Sequence, residues 1–366
     1  MPISDIISPV CSRRHRSELN FLLTIPLYLF AAVVQLDAQT APAPAKTVDP
    51  GPEPRDVSAE WKQLVGIYGQ VKEPSIIILE RDGLLLWRSA DGKEWEIKPD
   101  GENLHVVSTA KAGVWQQLAV LPDKAGKVGG LTLDGKEYAR TDAGSDPSRF
   151  YHVSPARPLE QLKAEALRAS PPPEQGPFRN SDLVELATLD SGIHLDIRYA
   201  QSNNFLSTPL YSQARAFMQR PAAEALVRAL HKLQPLGYGL LIHDAYRPWY
   251  VTKMFWDATP PEGHIFVADP AKGSKHNRGC AVDLTLYDLS TGQAIQMPGL
   301  YDEMSPRSFP TFPGGTSLQR WHRDLLRRVM ESEGFTVNED EWWHFDYKDW
   351  KHYAIGNVPF EKLGKD

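Results

Sequence analysis

The chain has 366 residues, of which 42% are hydrophobic and 23% charged, and its formal net charge is −6. That length allows two domains with sizeable cores, and the mild acidity argues against nucleic acid as a default partner. Two cysteines, Cys11 and Cys280, exclude a disulfide framework.

In chain order, the N-terminus reads first as a targeting segment. Arg13, Arg14 and Arg16 precede the apolar run "FLLTIPLYLFAAVV", Phe21 to Val34, which is short for a membrane span and suits a signal h-region. Small residues around Ala38 then make residues 1–38 a signal peptide, so an exported, periplasmic protein is expected. No stable membrane span is expected after cleavage, and an uncleaved anchor is the alternative. Residues 39–57 form a Pro/Ala-rich linker without hydrophobic period.

From 58 to 150 short β-rich runs such as "SIIILE", "LLLWRS" and "LHVVST" alternate with Asp-Gly pairs, among them Asp82-Gly83 and Asp134-Gly135. This spacing predicts a small all-β sandwich or barrel domain. Residues 151–181 hold one helix, Pro158 to Ser170, then a Pro-rich linker whose Pro171 to Pro173 reads as a flexible hinge. From 182 to 366 the pattern is a compact α+β domain. "IHLDIRY" alternates as a strand, and "PAAEALVRALHKLQPLG" is an amphipathic helix stopped by Gly237. "YGLLIHDAYRP" is a buried strand ending in a turn, and "SLQRWHRDLLRRVMESEGF" is a second helix closed by Gly334.

The chemistry concentrates in the last third. In "GSKHNRGCAVDLTLY", alternation along the strand puts Ala281, Asp283 and Thr285 on one face, and the small turn at Gly279 and Cys280 lets His276 fold back toward Asp283. A carboxylate in an apolar strand is costly without a partner. "EWWH" adds Glu341 and His344. Three N/O ligands with one open position define a catalytic zinc site; His276, Asp283 and His344 supply that set, which leaves Glu341 as general base on the attacking water. Spacing leaves bland roles open: Asp283 capping a turn, the histidines hydrogen-bonding elsewhere, Trp342 and Trp343 as core or pocket wall. Glu341 and His344 would also lie on opposite faces of a straight strand, so the motif requires a turn or bulge. Arg247, at a strand end before Pro248, is either a structural ion pair or an electrophilic arginine that holds a carbonyl oxygen as charge develops.

The segments "RYAQSNNF", "GLLIHDAYRP", "SKHNRGCAVDLTLY", "YDEMSPRSF" and "EWWH" stand in the order of the D-alanyl-D-alanine dipeptidases of the VanX type. From about Asp182 to Pro359 the chain resembles that family, within the zinc peptidases of the D-Ala-D-Ala carboxypeptidase and hedgehog-like fold. The resemblance implies one zinc on His276, Asp283 and His344, Glu341 as base and Arg247 as transition-state stabiliser. It also implies that Asp302 and Tyr199 hold the dipeptide's free amino group and that Ser274 contacts the substrate. Cys280 stands where the family often has Ser or Ala, and Phe309 where a His commonly follows "RS". The activity implied is hydrolysis of D-Ala-D-Ala or a similar small dipeptide. The alternatives are a zinc carboxypeptidase trimming peptidoglycan stem peptides and a metal-bearing binding module, which would not need Glu341. A serine hydrolase built on Ser274 lacks the Gly-x-Ser-x-Gly elbow.

Overall fold

A computed structural model of the chain describes residues 48–70, 73–100, 103–108, 115–141 and 151–364. Residues 1–38, read above as a signal peptide and including Cys11, and residues 39–47 of the first linker lie outside the described residues. Residues 48–56 lie along the C-terminal half of the chain: Val48 packs on its core, and the Pro50 carbonyl accepts from Trp321 Nε1 at 2.9 Å and Arg328 Nη2 at 2.9 Å.

A short helix, α1 (Ala59–Leu64), leads into eight antiparallel strands: β1 (Gly66–Gln70), β2 (Glu73–Arg81), β3 (Leu84–Ser89), β4 (Glu94–Asp100), β5 (Asn103–Ser108), β6 (Trp115–Pro122), β7 (Val128–Leu133) and β8 (Lys136–Ala139). Each pairs with the next, and a bridge between Tyr68 and Arg140 brings the last edge back to the first. The result is a nearly closed, barrel-like sheet. Two of the Asp-Gly pairs make turns with both residues at positive φ, Asp82 (52°) with Gly83 (78°) and Asp134 (48°) with Gly135 (82°). That conformation matches the twist of the flanking strands. Tyr68, Ile78, Leu85, Trp87, Leu118 and Leu131 fill the interior.

Helix α2 (Leu159–Arg168) buries Leu162 and Ala166. The Pro-rich segment after it has no regular structure but is tied down. Glu174 accepts from Arg278 Nη2 and from the Ile355 N–H at 2.7 Å, and the Arg179 N–H donates to the His352 carbonyl at 2.8 Å. The remainder is mixed α/β: β9 (Leu183–Glu185), β10 (Ile193–Leu195), β11 (Phe217–Gln219), α3 (Arg220–Leu233), β12 (Tyr238–Asp244), α4 (Trp249–Ala258), β13 (Ala281–Asp288), α5 (Ser317–Ser332), β14 (Phe335–Asn338) and β15 (Glu341–Tyr347). Five strands form one sheet in the order β10-β12-β13-β15-β14, parallel only at β10/β12, and β9 pairs with β11.

Helix α3 buries Ala222, Ala225, Leu226, Ala229, Leu230 and Leu233, an i, i+3, i+4, i+7 stripe. Helix α5 starts with a reciprocal capping box between Thr316 and Gln319 and buries Leu325, Leu326, Val329 and Met330. One strand is shorter than its pattern. Only Ile193–Leu195 of "IHLDIRY" is extended; Asp196 then takes Arg198 Nε at 2.6 Å, and a 3-10 turn at Arg198–Ala200 carries Tyr199 into the interior. Helix α4 is unannounced by the sequence pattern, being apolar on most sides. No helix among the described residues is long and apolar enough to cross a membrane.

Candidate active site

The two central strands of the five-stranded sheet carry the chemistry. Cross-strand pairing sets Asp283 of β13 directly opposite His344 of β15. His276 arrives from a 3-10 turn, His276–Arg278, that ends at Gly279 with φ 68°. That left-handed φ favours glycine, and a Cβ at Gly279 would in addition lie 2.5 Å from Leu183 Cδ2 and force that side chain to move.

His276 Nε2 then lies 3.2 Å from Asp283 Oδ1, His344 Nδ1 lies 3.1 Å from the same oxygen, and the two ring nitrogens are 3.1 Å apart. All three side chains are buried, and the group could hold a metal ion. An ion bound tetrahedrally by three N/O ligands at 2.0–2.2 Å holds them about 3.3 Å from one another, close to the spacing seen. The rest of each ring is committed. His276 Nδ1 donates to the Ala245 carbonyl at 2.6 Å, and His344 Nε2 donates to Asp346 Oδ1 at 2.9 Å. A neutral tautomer of each ring therefore turns a bare lone pair toward the other and toward Asp283, whose Oδ1 is buried without a hydrogen-bond donor. Three inward lone pairs around one point call for a cation, and outer partners of this kind fix ligand tautomers.

The carboxylates around these rings favour positive charge at this point, carried by a proton on His344 or, in its place, by a metal ion. Burial acts to discharge His344, but Asp346 and Asp283 outweigh it and raise its pKa to about 10. Burial also opposes the charge on Asp346, yet His344 and Lys275 hold its carboxyl down at about 2. Burial opposes the charge on Asp283 too; the two histidines more than offset it and keep the carboxyl well below its usual range.

Glu341 reaches the cluster through an irregularity. The β14–β15 register shifts, with Val337 opposite Phe345 but Asn338 opposite Glu341, so Trp342, Trp343 and His344 fall within the shift. Glu341 Oε2 comes within 3.5 Å of His344 Nδ1 and accepts from Asn338 Nδ2 at 3.0 Å. Burial pushes its carboxyl up to about 7, where a group exchanges protons readily at neutral pH.

Arg247 is buried beside the cluster. Its Nε donates to Asp244 Oδ2 at 2.8 Å, Nη2 forms an ion pair with the same oxygen at 2.8 Å, and its guanidinium lies over the rings of Phe255 at 4.6 Å and Tyr199 at 5.3 Å. The Tyr199 hydroxyl donates to both oxygens of Asp302 at 3.0 Å. Burial, then Asp283 and Glu341, push the Asp302 carboxyl well above its usual value. Ser274 Oγ accepts from the His276 N–H at 3.2 Å. One cavity of about 190 Å³ is lined by all eight of these residues: Tyr199, Arg247, Ser274, His276, Asp283, Asp302, Glu341 and His344. Phe309 is not among its walls; its ring lies 6.3 Å from that of Phe266, tilted by 49°. Cys280 is fully buried, and burial raises its thiol to about 12.

A family model described as D-ala-D-ala dipeptidase matches residues 179–360. The D-alanyl-D-alanine dipeptidase of Escherichia coli (strain K12) is 34% identical over 175 residues, 48% of this chain and 89% of the relative. That of Enterococcus faecalis (strain ATCC 700802 / V583) is 35% identical over 176 residues, 43% of this chain and 87% of the relative. That of Streptomyces coelicolor (strain ATCC BAA-471 / A3(2) / M145) is 34% identical over 189 residues, 47% of this chain and 94% of the relative. The chain belongs to the D-Ala-D-Ala dipeptidase family. It is a metallopeptidase by that membership, and residues 58–141 fall outside the part the family accounts for.

Several residues around the family's pocket were not singled out from the sequence. Asp346 stands two positions after His344 on the same strand face, a spacing that could have flagged it. Asp244, three before Arg247, holds both that arginine and the Tyr211 hydroxyl, the latter at 2.7 Å. The Ala245 carbonyl and Tyr301 carry no local signal, because the fold alone brings them to the site.

Proposed function

We propose that the chain hydrolyses D-alanyl-D-alanine, or a closely similar small dipeptide, to free amino acids with one zinc per chain held by His276, Asp283 and His344. When bound, zinc supplies Lewis-acid chemistry, lowering the pKa of water to about 7 and polarising a carbonyl. Glu341 takes a proton from the attacking water on a carboxylate oxygen and returns it to the leaving amine. Arg247 is held in place by Asp244 and two aromatic rings, and its guanidinium donates to the carbonyl oxygen as charge develops there. Asp302, oriented by Tyr199, accepts the substrate ammonium, and Ser274 contacts the substrate with its hydroxyl.

The observation that carries this reading is the pairing, in one small cavity, of the metal-ligand cluster with a half-buried carboxyl, Asp302, that forms no ion pair among the described residues. Among the described residues, Asp302 takes only the Tyr199 hydroxyl. Its neighbour Glu303 is satisfied by its own loop, accepting from the Leu300 N–H at 2.9 Å and from Ser305 Oγ at 2.9 Å. A free α-ammonium completes Asp302 by a charge-assisted hydrogen bond. The cavity is also smaller than the several hundred Å³ typical of larger ligands, which favours a dipeptide over a stem peptide.

The catalytic part is read as the D-Ala-D-Ala carboxypeptidase and hedgehog-like fold over 182–366, with residues 58–150 as a separate β domain, 39–57 and 151–181 as connecting segments, and 1–38 as a signal peptide directing export to the periplasm. The test is hydrolysis of D-Ala-D-Ala, N-acetyl-D-Ala-D-Ala and a stem pentapeptide alongside metal analysis. Free D-Ala-D-Ala as the best substrate, with one zinc per chain, supports the reading. Faster cleavage of the acetylated dipeptide or the pentapeptide overturns it in favour of a carboxypeptidase.

A further inference from the structure

The two oxygens of Asp283 have different surroundings. Oδ1 faces His276 Nε2 and His344 Nδ1 and has no hydrogen-bond donor. Oδ2 points the other way and accepts from the Tyr301 hydroxyl at 3.0 Å. Arg247 Nη2, at 3.6 Å, is too far for a hydrogen bond to that oxygen. Among the described residues, Tyr301 thus supplies the one hydrogen bond that Oδ2 receives.

The tyrosine is well held. It is buried, its ring lies 4.6 Å from His243 and 5.5 Å edge-on to Trp343, and the next residue, Asp302, adopts a positive φ of 57°. That backbone kink sends consecutive side chains to different tasks, Tyr301 to the back of the metal-ligand cluster and Asp302 to the Tyr199 hydroxyl. We infer that Tyr301 is a positioning residue: its hydroxyl fixes the rotation of the Asp283 carboxylate, so that Oδ1 alone is presented between the two histidines and Asp283 binds the metal through a single oxygen.

The inference rests on the zinc reading above and deepens it. Without the hydroxyl, Oδ2 loses its donor while the ring packing stays, and the carboxylate is free to turn or to offer both oxygens. Loss of an outer-shell partner of a metal ligand typically weakens metal binding by about 10–100-fold. The test is Tyr301→Phe in the full chain, with the zinc dissociation constant measured by chelator competition, thermal unfolding of the metal-free protein, and kcat and KM for D-Ala-D-Ala at saturating zinc. We expect a zinc dissociation constant raised about tenfold or more, an unfolding temperature of the metal-free protein close to the parent's, and a fall in kcat with KM little changed. A rise of less than about threefold in the zinc dissociation constant, against the same expectation, overturns the inference while leaving the dipeptidase reading intact, provided the parent holds zinc and turns over. A parent protein that holds no zinc overturns both.

Discussion

At the scale of single residues, the pocket separates groups that hold from groups that react. His344 and Glu341 sit 3.5 Å apart, yet their surroundings assign them different work. His344 is locked by Asp346 with its other nitrogen turned inward, whereas Glu341 has, among the described residues, one hydrogen bond and a carboxyl raised by burial. His344→Ala should therefore lose bound zinc. Glu341→Ala should keep it and lose turnover by about 10²–10⁴-fold, the usual value of a positioned proton-transfer group. Metal analysis and kcat on the same preparations read both, and full zinc occupancy in His344→Ala would contradict the ligand assignment. The adjacent carboxylates Asp302 and Glu303 make a second contrast. Asp302→Asn removes the ammonium partner and should lower kcat/KM for free dipeptide by about 10–100-fold, the value of a charged hydrogen bond. It should cost little stability, because burial already disfavours that charge. Glu303→Gln should do the reverse, lowering the unfolding temperature more than the activity, since its two oxygens knit the loop 300–305 together. Equal effects of the two substitutions on kcat/KM would remove the distinction.

Among the secondary-structure elements, the turn before β13 shows what the sequence made legible and what it did not. The buried strands at 238–244 and 281–288, the helices at 220–233 and 317–332 and the Asp-Gly hairpins follow from hydrophobic period and turn chemistry, which are local. The need for an irregularity near Glu341 was also readable, since a straight strand separates residues three apart onto opposite faces. Strand order was not. Nothing local says that β15 inserts between β13 and β14, yet that order places His344 opposite Asp283. Tyr301 and the Ala245 carbonyl escaped notice for the same reason. "IHLDIRY" misled because alternation was read past Asp196, where an Asp–Arg pair closes a turn instead. Gly279 lies between the legible and the illegible: a small residue was expected there, but its reasons are a left-handed φ of 68° and the contact with Leu183 of β9. Gly279→Ala should destabilise by the left-handed backbone penalty of about 1–2 kcal/mol plus the cost of moving Leu183, and should weaken zinc binding by displacing His276. Denaturant unfolding of the metal-free protein and zinc competition measure the two effects. An alanine variant as stable and as tight for zinc as the parent would show that the turn is not constrained in this way.

For the molecule as a whole, the β sheet and the catalytic part meet at the N-terminus of α5. Glu80, at 1% exposure, accepts from the Ser317 N–H at 2.6 Å and from Ser317 Oγ at 3.2 Å, while its own N–H donates to the Gly315 carbonyl at 3.1 Å. Arg320 donates to the Glu80 carbonyl at 2.6 Å and to the carbonyls of Pro313, Gly314 and Gly315. A carboxylate at a helix N-terminus meets unpaired N–H groups and the positive end of the helix dipole. Helix α5 in turn packs on β14, the strand next to the one that carries Glu341 and His344. None of the residues lining the candidate active-site cavity comes from before Tyr199. These facts set stability and chemistry apart. Glu80→Ala leaves the Ser317 N–H and hydroxyl without their partner and should cost about 1–3 kcal/mol, the range for an orphaned buried polar group, seen as a lower unfolding temperature with kcat/KM unchanged well below it. A chain truncated to residues 182–366 loses the whole contact at once; it should still bind zinc and cleave D-Ala-D-Ala, but unfold at a lower temperature than the full chain. If Glu80→Ala slows turnover at temperatures where the variant is fully folded, the barrel-like sheet acts on the active site through α5 and β14 and is more than a stabilising neighbour.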